Sequence, residues 1–389
     1  MPLPLRLLTV GHSYVVTLNR RLAHELARAG AGTWEVTAIA PTYFHGSRDL
    51  RPVALAASAD EPCRTVPVNA YLTRYVHTFF YGRQLRSLLS QHWDIIHCWE
   101  EPFIVASGQV AFWKRKNTPL VFASFQNLAK QYPPPFSWLE RTCLARATGW
   151  IAFGRTVADV LGERVGYRDR PSQIIPLGVD VKVFQPDPSA RASIRRSLGW
   201  DDTEPRVVGF LGRFLPEKGL SLLMRVLDNL TCPWRALFVG AGPLESDLRN
   251  WSLRHVDRVR VCTDVQHDAV PAYLNAMDML CAPSQTTTRW REQFGRMLIE
   301  SFACGVPVIG SDSGEIPHVV GDAGLIVGES DEVGWRKALE ELLTDPIRRC
   351  ELGEHGRERA HARYAWPVVA RQHLDFFAEV RATAKRRAL

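Results

Sequence analysis

Short apolar, β-branched runs alternate with helix-patterned stretches along this entire chain, and that rhythm limits the fold more than any other feature. In the first half the runs are LRLLTVG (5–11), WEVTAIAP (34–41), CRTVPV (63–68), DIIHCWE (94–100), PLVFASF (119–125), WIAFG (150–154) and SQIIPLGV (172–179). Near-continuous apolar strands separated by helices describe a parallel sheet covered on both faces. After QPDPSARAS the rhythm restarts with VVGFLG (207–212), RALFVGAG (235–242), VRVCTDV (259–265), MLCAPS (279–284), PVIGSD (307–312) and GLIV (324–327). The expected fold class is therefore α/β, with two doubly wound, Rossmann-like domains, and 389 residues are too many for one ordinary core. Pro186 and Pro188 mark the expected linker, placing one domain at 1–183 and the second at 184–365. The closing segment 366–389 is helix-like and needs a surface for Val368, Val369, Leu374, Phe376 and Phe377, which the first domain can offer. Parallel sheets bind ligands beyond the carboxyl ends of their strands, so two sheets facing each other would form a cleft.

Composition narrows the class. Hydrophobic content of 46% and charged content of 23% are those of a globular protein. No apolar run approaches the ~18 residues of a membrane span, and MPLPLRLLTVG reads as a first strand rather than a signal peptide. The eight cysteines are scattered without a CxxC pair, which predicts reduced, buried thiols and a cytoplasmic location. The net charge of +7 favours an anionic partner only weakly: seven of the 48 basic residues are lysine, a bias of base composition that gives no reason to expect nucleic-acid binding.

Three segments carry chemistry. GRFLPEKG (212–219) joins a strand to a helix, and its glycines let the backbone approach a ligand while Arg213 and Lys218 supply positive charge, a combination suited to a diphosphate. It is not a Walker A loop. VGAGPLESDL (239–248) has two glycines of a dinucleotide fingerprint but Glu245 where the third would stand, so a tight turn is favoured over NAD binding. EQFGRMLIE (292–300) reads as a turn and a helix starting near Phe294 and Gly295, whose free N–H groups can hold an anion. Glu300 then lies among apolar residues, either paired with a neighbouring arginine or accepting hydrogen bonds from ligand hydroxyls.

With PLGVDVKVFQP (176–186), GFLGRFLPEKG (209–219), LFVGAGPLESDL (237–248), VPAYLNAMDMLCAPS (270–284) and an E-x7-E pattern at Glu292 and Glu300, the chain resembles the retaining glycosyltransferases of family 4, which have the GT-B architecture of two Rossmann-like domains facing across a cleft. The resemblance implies a nucleotide-sugar donor as co-substrate, UDP-, GDP- or ADP-linked, and neither a cofactor nor a metal. It implies that Arg213 and Lys218 neutralise the donor diphosphate, helped by Gly212, Gly219 and the amides around Gln293, Phe294, Gly295, Arg296 and Met297. It further implies that Glu300 holds the ribose hydroxyls, that Glu292 contacts the donor sugar, and that Thr263, Asp264 and Val265 lie at the nucleobase. The implied mechanism is transfer with retained anomeric configuration along a same-face path assisted by the leaving phosphate, giving an α-linkage.

Two departures stand out. Val15 and Val16 occupy the place of a Gly-Gly common in the family's first loop, and Gln126 and Asn127 replace a histidine after the fifth strand. His12, Ser13, Glu100 and Glu101, also at strand ends, join Gln126 and Asn127 as acceptor-side candidates, with structural hydrogen bonding as the competing reading. YLTRYVHTFFYGRQLRSLL (71–89) and FWKRK (112–116) mix aromatics with cations; a helix packed on the core is favoured there over peripheral contact with the inner face of a membrane. The expectation is a glycosyltransferase acting on a glycan or lipid-linked acceptor in bacterial surface polysaccharide or glycolipid assembly. An inactive nucleotide-sugar binder and a GT-B hydrolase or epimerase are the alternatives.

Overall fold

The computed structural model describes residues 3–46, 52–58, 60–200 and 205–388. The chain divides into two compact units, Met1–Pro176 with Trp366–Leu389, and Leu177–Ala365.

Unit 1 is built on a seven-stranded parallel sheet: β1 (Leu5–Val10), β2 (Trp34–Pro41), β3 (Arg64–Val68), β4 (Ile95–Cys98), β5 (Leu120–Ser124), β6 (Gly149–Ala152) and β7 (Ser172–Ile174). Their spatial order is β7-β6-β5-β4-β1-β2-β3, so the direction of winding reverses between β1 and β4, which pair directly through Leu7↔Ile95 to Val10↔Cys98. Every residue of β4, β5 and β6 is buried, as their unbroken apolar runs require.

The helix α1 (Thr17–Ala29) covers this sheet together with the C-terminal helix (Trp366–Ala388). On the C-terminal helix, Val369, Leu374, Phe376 and Phe377 are buried while Val368 is half-buried. Phe377 lies 5.3 Å from the His97 ring of β4, and Arg381 reaches Asp94 at 3.5 Å.

Two expectations are corrected. Pro186 and Pro188 do not form a linker: Asp187 caps the helix Pro188–Ser197 through Ser189 and Ala190, its own N–H bonds Asn275, and the division of the chain falls earlier, at Pro176. The stretch 71–89 is not one helix. Ala70–Tyr71 and Phe80–Tyr81 pair as an antiparallel ribbon, and only Gln84–Leu89 is helical. Aromatic residues suit a ribbon better than a helix, and the turn between its strands opens at Leu72, with φ 55°.

Unit 2 carries a six-stranded parallel sheet: β8 (Arg206–Leu211), β9 (Trp234–Val239), β10 (Val259–Cys262), β11 (Met279–Ala282), β12 (Val308–Ser311) and β13 (Gly324–Val327). Its order, β10-β9-β8-β11-β12-β13, reverses between β8 and β11. Phe210, Phe214, Trp234, Phe238 and Trp335 are central to its core.

The eight cysteines are free; five are buried, Cys232 and Cys262 are half-buried, and Cys350 is exposed. Among the described residues no helix is long and apolar enough to cross a membrane.

Candidate active site

In an open parallel sheet the crevice where the strand order reverses is the natural ligand site. In unit 2 that crevice lies beyond β8 and β11. The segment after β8 is GRFLPEKG, and its course is fixed from the side of β9. Gly212 N–H donates to Val239 O at 3.0 Å, Phe214 N–H to Ala241 O at 2.9 Å, and Leu244 N–H to Phe214 O at 3.0 Å. A Cβ on Gly240 would stand 1.8 Å from Gly212 O, at φ +147°. The glycine pair of VGAGP therefore lets two loops touch, which accounts for the motif without a dinucleotide.

Lys218 ends a short 3-10 turn, Pro216–Lys218, and Gly219 follows at φ +74° as the N-cap of the helix Leu220–Asp228. A Cβ there would meet Pro283 O at 1.8 Å, so glycine allows the loop after β8 to lie against the loop after β11. The two loops are also joined by Gln285 N–H to Glu217 O at 2.8 Å.

Lys218 and Glu292 meet at this junction. Lys218 Nζ donates to Glu292 Oε2 at 2.6 Å and sits 4.8 Å from the centroid of the Trp290 ring. Ser284 Oγ donates to the same carboxylate oxygen at 3.0 Å. Glu292 is buried, and its carbonyl accepts from Glu315 N–H at 3.1 Å. Arg213, by contrast, is exposed and makes no ion pair among the described residues.

Beyond Glu292, Gln293 is exposed and Phe294 buried, its ring 6.0 Å from that of Tyr364. Gly295, at φ +80°, opens the helix α2 (Arg296–Ala303). No side chain caps α2, and the first-turn N–H groups at a helix N-terminus favour an anion. Arg296 and Met297 are half-buried.

Glu300, on α2, is buried, and burial pushes its carboxyl up to about 7 although Arg296, one turn earlier, pulls the other way. Its ion-pair partner is His267 Nε2 at 3.8 Å, beyond hydrogen-bond reach. The arginine salt bridge weighed from the sequence is therefore a longer-range attraction only. His267 follows β10 in the turn His267–Ala269, just after Thr263, Asp264 and Val265. Of these, Thr263 Oγ1 accepts from Arg249 at 3.3 Å and Asp264 is exposed. Ser284, Trp290 and His267 are the neighbours that sequence reasoning missed. Proximity of His267 to the Thr263–Val265 segment was the one signal that could have pointed to it.

In unit 1 the acceptor-side candidates also gather at strand ends. Both carboxylate oxygens of Glu100 are held by His12, Oε1 by the peptide N–H and Oε2 by ring Nδ1 at 2.5 Å. Glu101 ties β4 to β5 instead, accepting from Ser124 Oγ and Phe125 N–H, each at 2.7 Å, and burial pushes it up to about 7. Gln126 and Asn127 are buried. Gln126 Oε1 and Ser13 Oγ are buried atoms that have no hydrogen-bond partner.

Sequence profiles decide the family. That described as "Glycosyltransferase Family 4" matches residues 15–183, and that described as "Glycosyl transferases group 1" matches 190–359. The chain belongs to glycosyltransferase family 4. It is similar to the GDP-mannose-dependent monoacylated alpha-(1-6)-phosphatidylinositol monomannoside mannosyltransferase of Corynebacterium glutamicum, 34% identical over 50% of this chain and 53% of that one. It is also similar to the D-inositol 3-phosphate glycosyltransferase of Stackebrandtia nassauensis, 29% identical over 76% of this chain and 68% of that one. This family 4 member thus aligns with only about half the length of the first of these relatives. Among solved structures, sucrose-phosphate synthase from Thermosynechococcus elongatus is 23% identical with a TM-score of 0.71, covering 97% of this chain and 100% of its own. Anabaena Alr3699/HepE in complex with UDP is 17% identical with a TM-score of 0.73, at the same coverages. These likenesses give the family 4 member the GT-B fold.

Proposed function

We propose that the protein is a retaining, metal-independent glycosyltransferase that takes a sugar from a nucleotide-sugar donor held by unit 2. The observation that carries this reading is the reversal of the sheet between β8 and β11. It joins the Lys218–Glu292–Ser284 cluster to an uncapped helix N-terminus and a buried, weakly paired carboxylate, Glu300. Arg213 and Lys218 receive the diphosphate with the amides around Gly295, Glu300 the ribose hydroxyls and Glu292 the donor sugar, while Thr263–Val265 lie along the base. Fixed cations and helix N–H groups stabilise the departing diphosphate. The activities named for the two relatives make GDP-mannose the first donor to try and an inositol-bearing lipid the first acceptor.

A membrane-facing surface on unit 1 belongs to the same reading. Phe112 and Trp138 are exposed and stacked at 6.3 Å, Arg146 lies 4.5 Å over Phe112, and Arg115, Lys116 and Arg141 are exposed nearby in sequence. Glu140 is the one acidic residue between 102 and 158.

The test is a melting-temperature screen against GDP, UDP and ADP, followed by transfer from GDP-[14C]mannose to phosphatidylinositol vesicles with and without EDTA. One nucleotide raising the melting temperature, and chelator-resistant transfer, are expected. Binding without turnover would support the inactive binder; release of free sugar alone would support a hydrolase.

A further inference from the structure

The loop between β11 and α2 places a tryptophan, Trp290, at the Lys218–Glu292 junction of unit 2. Its indole is no part of the core: Trp290 is half-buried and stands outside the cluster built on Phe210, Trp234 and Phe238. Among the described residues its ring meets no other aromatic ring, and its Nε1 makes no hydrogen bond. The contact that the ring does make is with the Lys218 ammonium, 4.8 Å from its centroid. The backbone around it is closely fixed. Trp290 N–H donates to Thr287 Oγ1 at 3.0 Å, and Trp290 O accepts from Thr287 N–H at 2.7 Å. Earlier in the same loop, Thr286 Oγ1 bonds Ser313 Oγ at 2.9 Å and Gln285 Nε2 donates to Glu329 O at 2.6 Å. These bonds tie the loop to the segments just past β12 and β13.

A ring that only filled space would sit among apolar side chains. Trp290 instead faces an ammonium whose other partner is a carboxylate, Glu292 Oε2 at 2.6 Å, itself held by Ser284. The two partners hold Lys218 in different ways. A carboxylate cancels the cation's charge, whereas an indole face attracts it through the ring quadrupole and leaves the charge whole. Lysine carries its charge on a flexible four-carbon stem, so a cation that is to meet a phosphate has to be held without being neutralised. The Lys218 side chain keeps 18% of its surface exposed, so water weakens the attraction little.

We infer that Trp290 is a positioning residue for Lys218: its indole face holds the ammonium beyond β8 and β11, with its charge available to the donor diphosphate as the bond to the anomeric carbon breaks. What Lys218 does there rests on the glycosyltransferase reading above; what holds Lys218 does not. On that reading Glu292 turns to the donor sugar, and the ring is the partner that Lys218 keeps. Trp290 touches no reacting atom. Its contribution passes through Lys218 and follows the electron density of the ring rather than its size.

The experiment has two arms on the full chain. The first varies the electrons of the ring at nearly constant shape: tryptophan with one, two or three ring fluorines is placed at position 290, and transfer from GDP-mannose to phosphatidylinositol vesicles is measured. Each fluorine weakens the quadrupole, so log kcat should fall in steps to a total of about 5- to 30-fold. The donor KM should change little and the melting temperature should hold within about 2 °C. W290F should recover most of the turnover that W290L loses. A kcat that does not track fluorination, or W290L turning over like wild type, overturns the assignment. A melting temperature that falls in step with the rate overturns it too, by making Trp290 a packing residue. The second arm needs no donor. The chain has seven lysines, and in 13C-lysine NMR spectra the Lys218 Hε signal, assigned by its loss in K218R, should lie upfield under the ring current and return downfield in W290L. An unshifted signal in the wild type overturns the contact itself. If no nucleotide raises the melting temperature and no sugar is transferred, the glycosyltransferase reading fails. The wild-type lysine spectrum still decides whether Trp290 holds Lys218, and it decides equally if W290L fails to fold.

Discussion

Glu300 offers the sharpest test of the donor site, because its substitution should move stability and binding in opposite directions. Burial carries its carboxyl from 4.5 to about 7 in the folded protein. The folded value lies above the unfolded one, so the folded chain keeps a proton that the unfolded chain releases. This contribution is fully present below pH 4.5 and is lost as pH rises through 7. At about 1.4 kcal/mol per pH unit, the ionised carboxylate costs the folded protein about 3 kcal/mol at pH 8 and less than about 1 kcal/mol at pH 5.

Glu300→Gln keeps the shape and removes the charge. The attraction of Arg296 is already contained in that cost; part of the gain is offset because the buried amide must itself find hydrogen-bond partners, which leaves roughly 1–2 kcal/mol of stabilisation at pH 8. For a unit of this size that is a rise of about 3–6 °C in melting temperature. The same change removes a charged acceptor for ribose hydroxyls, a bond worth about 1.5–3 kcal/mol, so GDP affinity should fall by about 10- to 100-fold. Calorimetric scans at pH 8 and pH 5, with and without GDP, measure both. A variant less stable than wild type at both pH values would mean that Glu300 is a structural ion-pair member. Unchanged GDP affinity would remove it from the ribose site.

Other parts of the chain make separate predictions. Lys218→Met should lower turnover by about 10²- to 10³-fold and also destabilise unit 2 by leaving the buried Glu292 without its cation. Adding Glu292→Gln should restore the melting temperature but not turnover, and recovery of both would sink the diphosphate assignment. His373 is buried on the C-terminal helix with Nδ1 bonded to Val369 O at 2.8 Å and Nε2 unpaired, and burial lowers it to about 4. Since that lies below its unfolded value, stability falls as pH drops from 6.5 towards 4. His373→Leu should lose about 2 kcal/mol less than wild type between pH 7 and 5 in urea titrations, and equal losses would refute the account. Replacing both Phe112 and Trp138 by alanine should cut co-sedimentation with phosphatidylglycerol vesicles at least about tenfold and leave GDP binding intact. Undiminished sedimentation would remove this surface from the membrane reading.

How much of this was legible in the sequence depends on the distance over which each feature is encoded. The strands were legible because a strand buried on both faces writes its apolar run locally, as in IIHC of β4 and LVFAS of β5. The start of α2 was legible for the same reason, since Gly295 marks a backbone turn at one position. The linker and the 71–89 segment were misread where two local rules compete. A proline pair is linker punctuation until an aspartate between them caps a helix, and aromatic residues at near-helical spacing also suit a short ribbon.

The site itself belongs to a third class. Lys218 and Glu292 are 74 residues apart, and no local pattern says that they touch. They touch because β8 pairs with β11, an order fixed by how the whole chain winds. His12 and Glu100, 88 residues apart, meet in unit 1 for the same reason, through β1 and β4. In each sheet the reversal of winding sets the two central strands side by side, and the loops that follow them meet just past the strand ends. A charged group at either strand end can then be shielded from water on its flanks yet open at its tip. A buried carboxylate with a cationic or imidazole partner is a poor device for stability alone, and this chain has built one at both reversals.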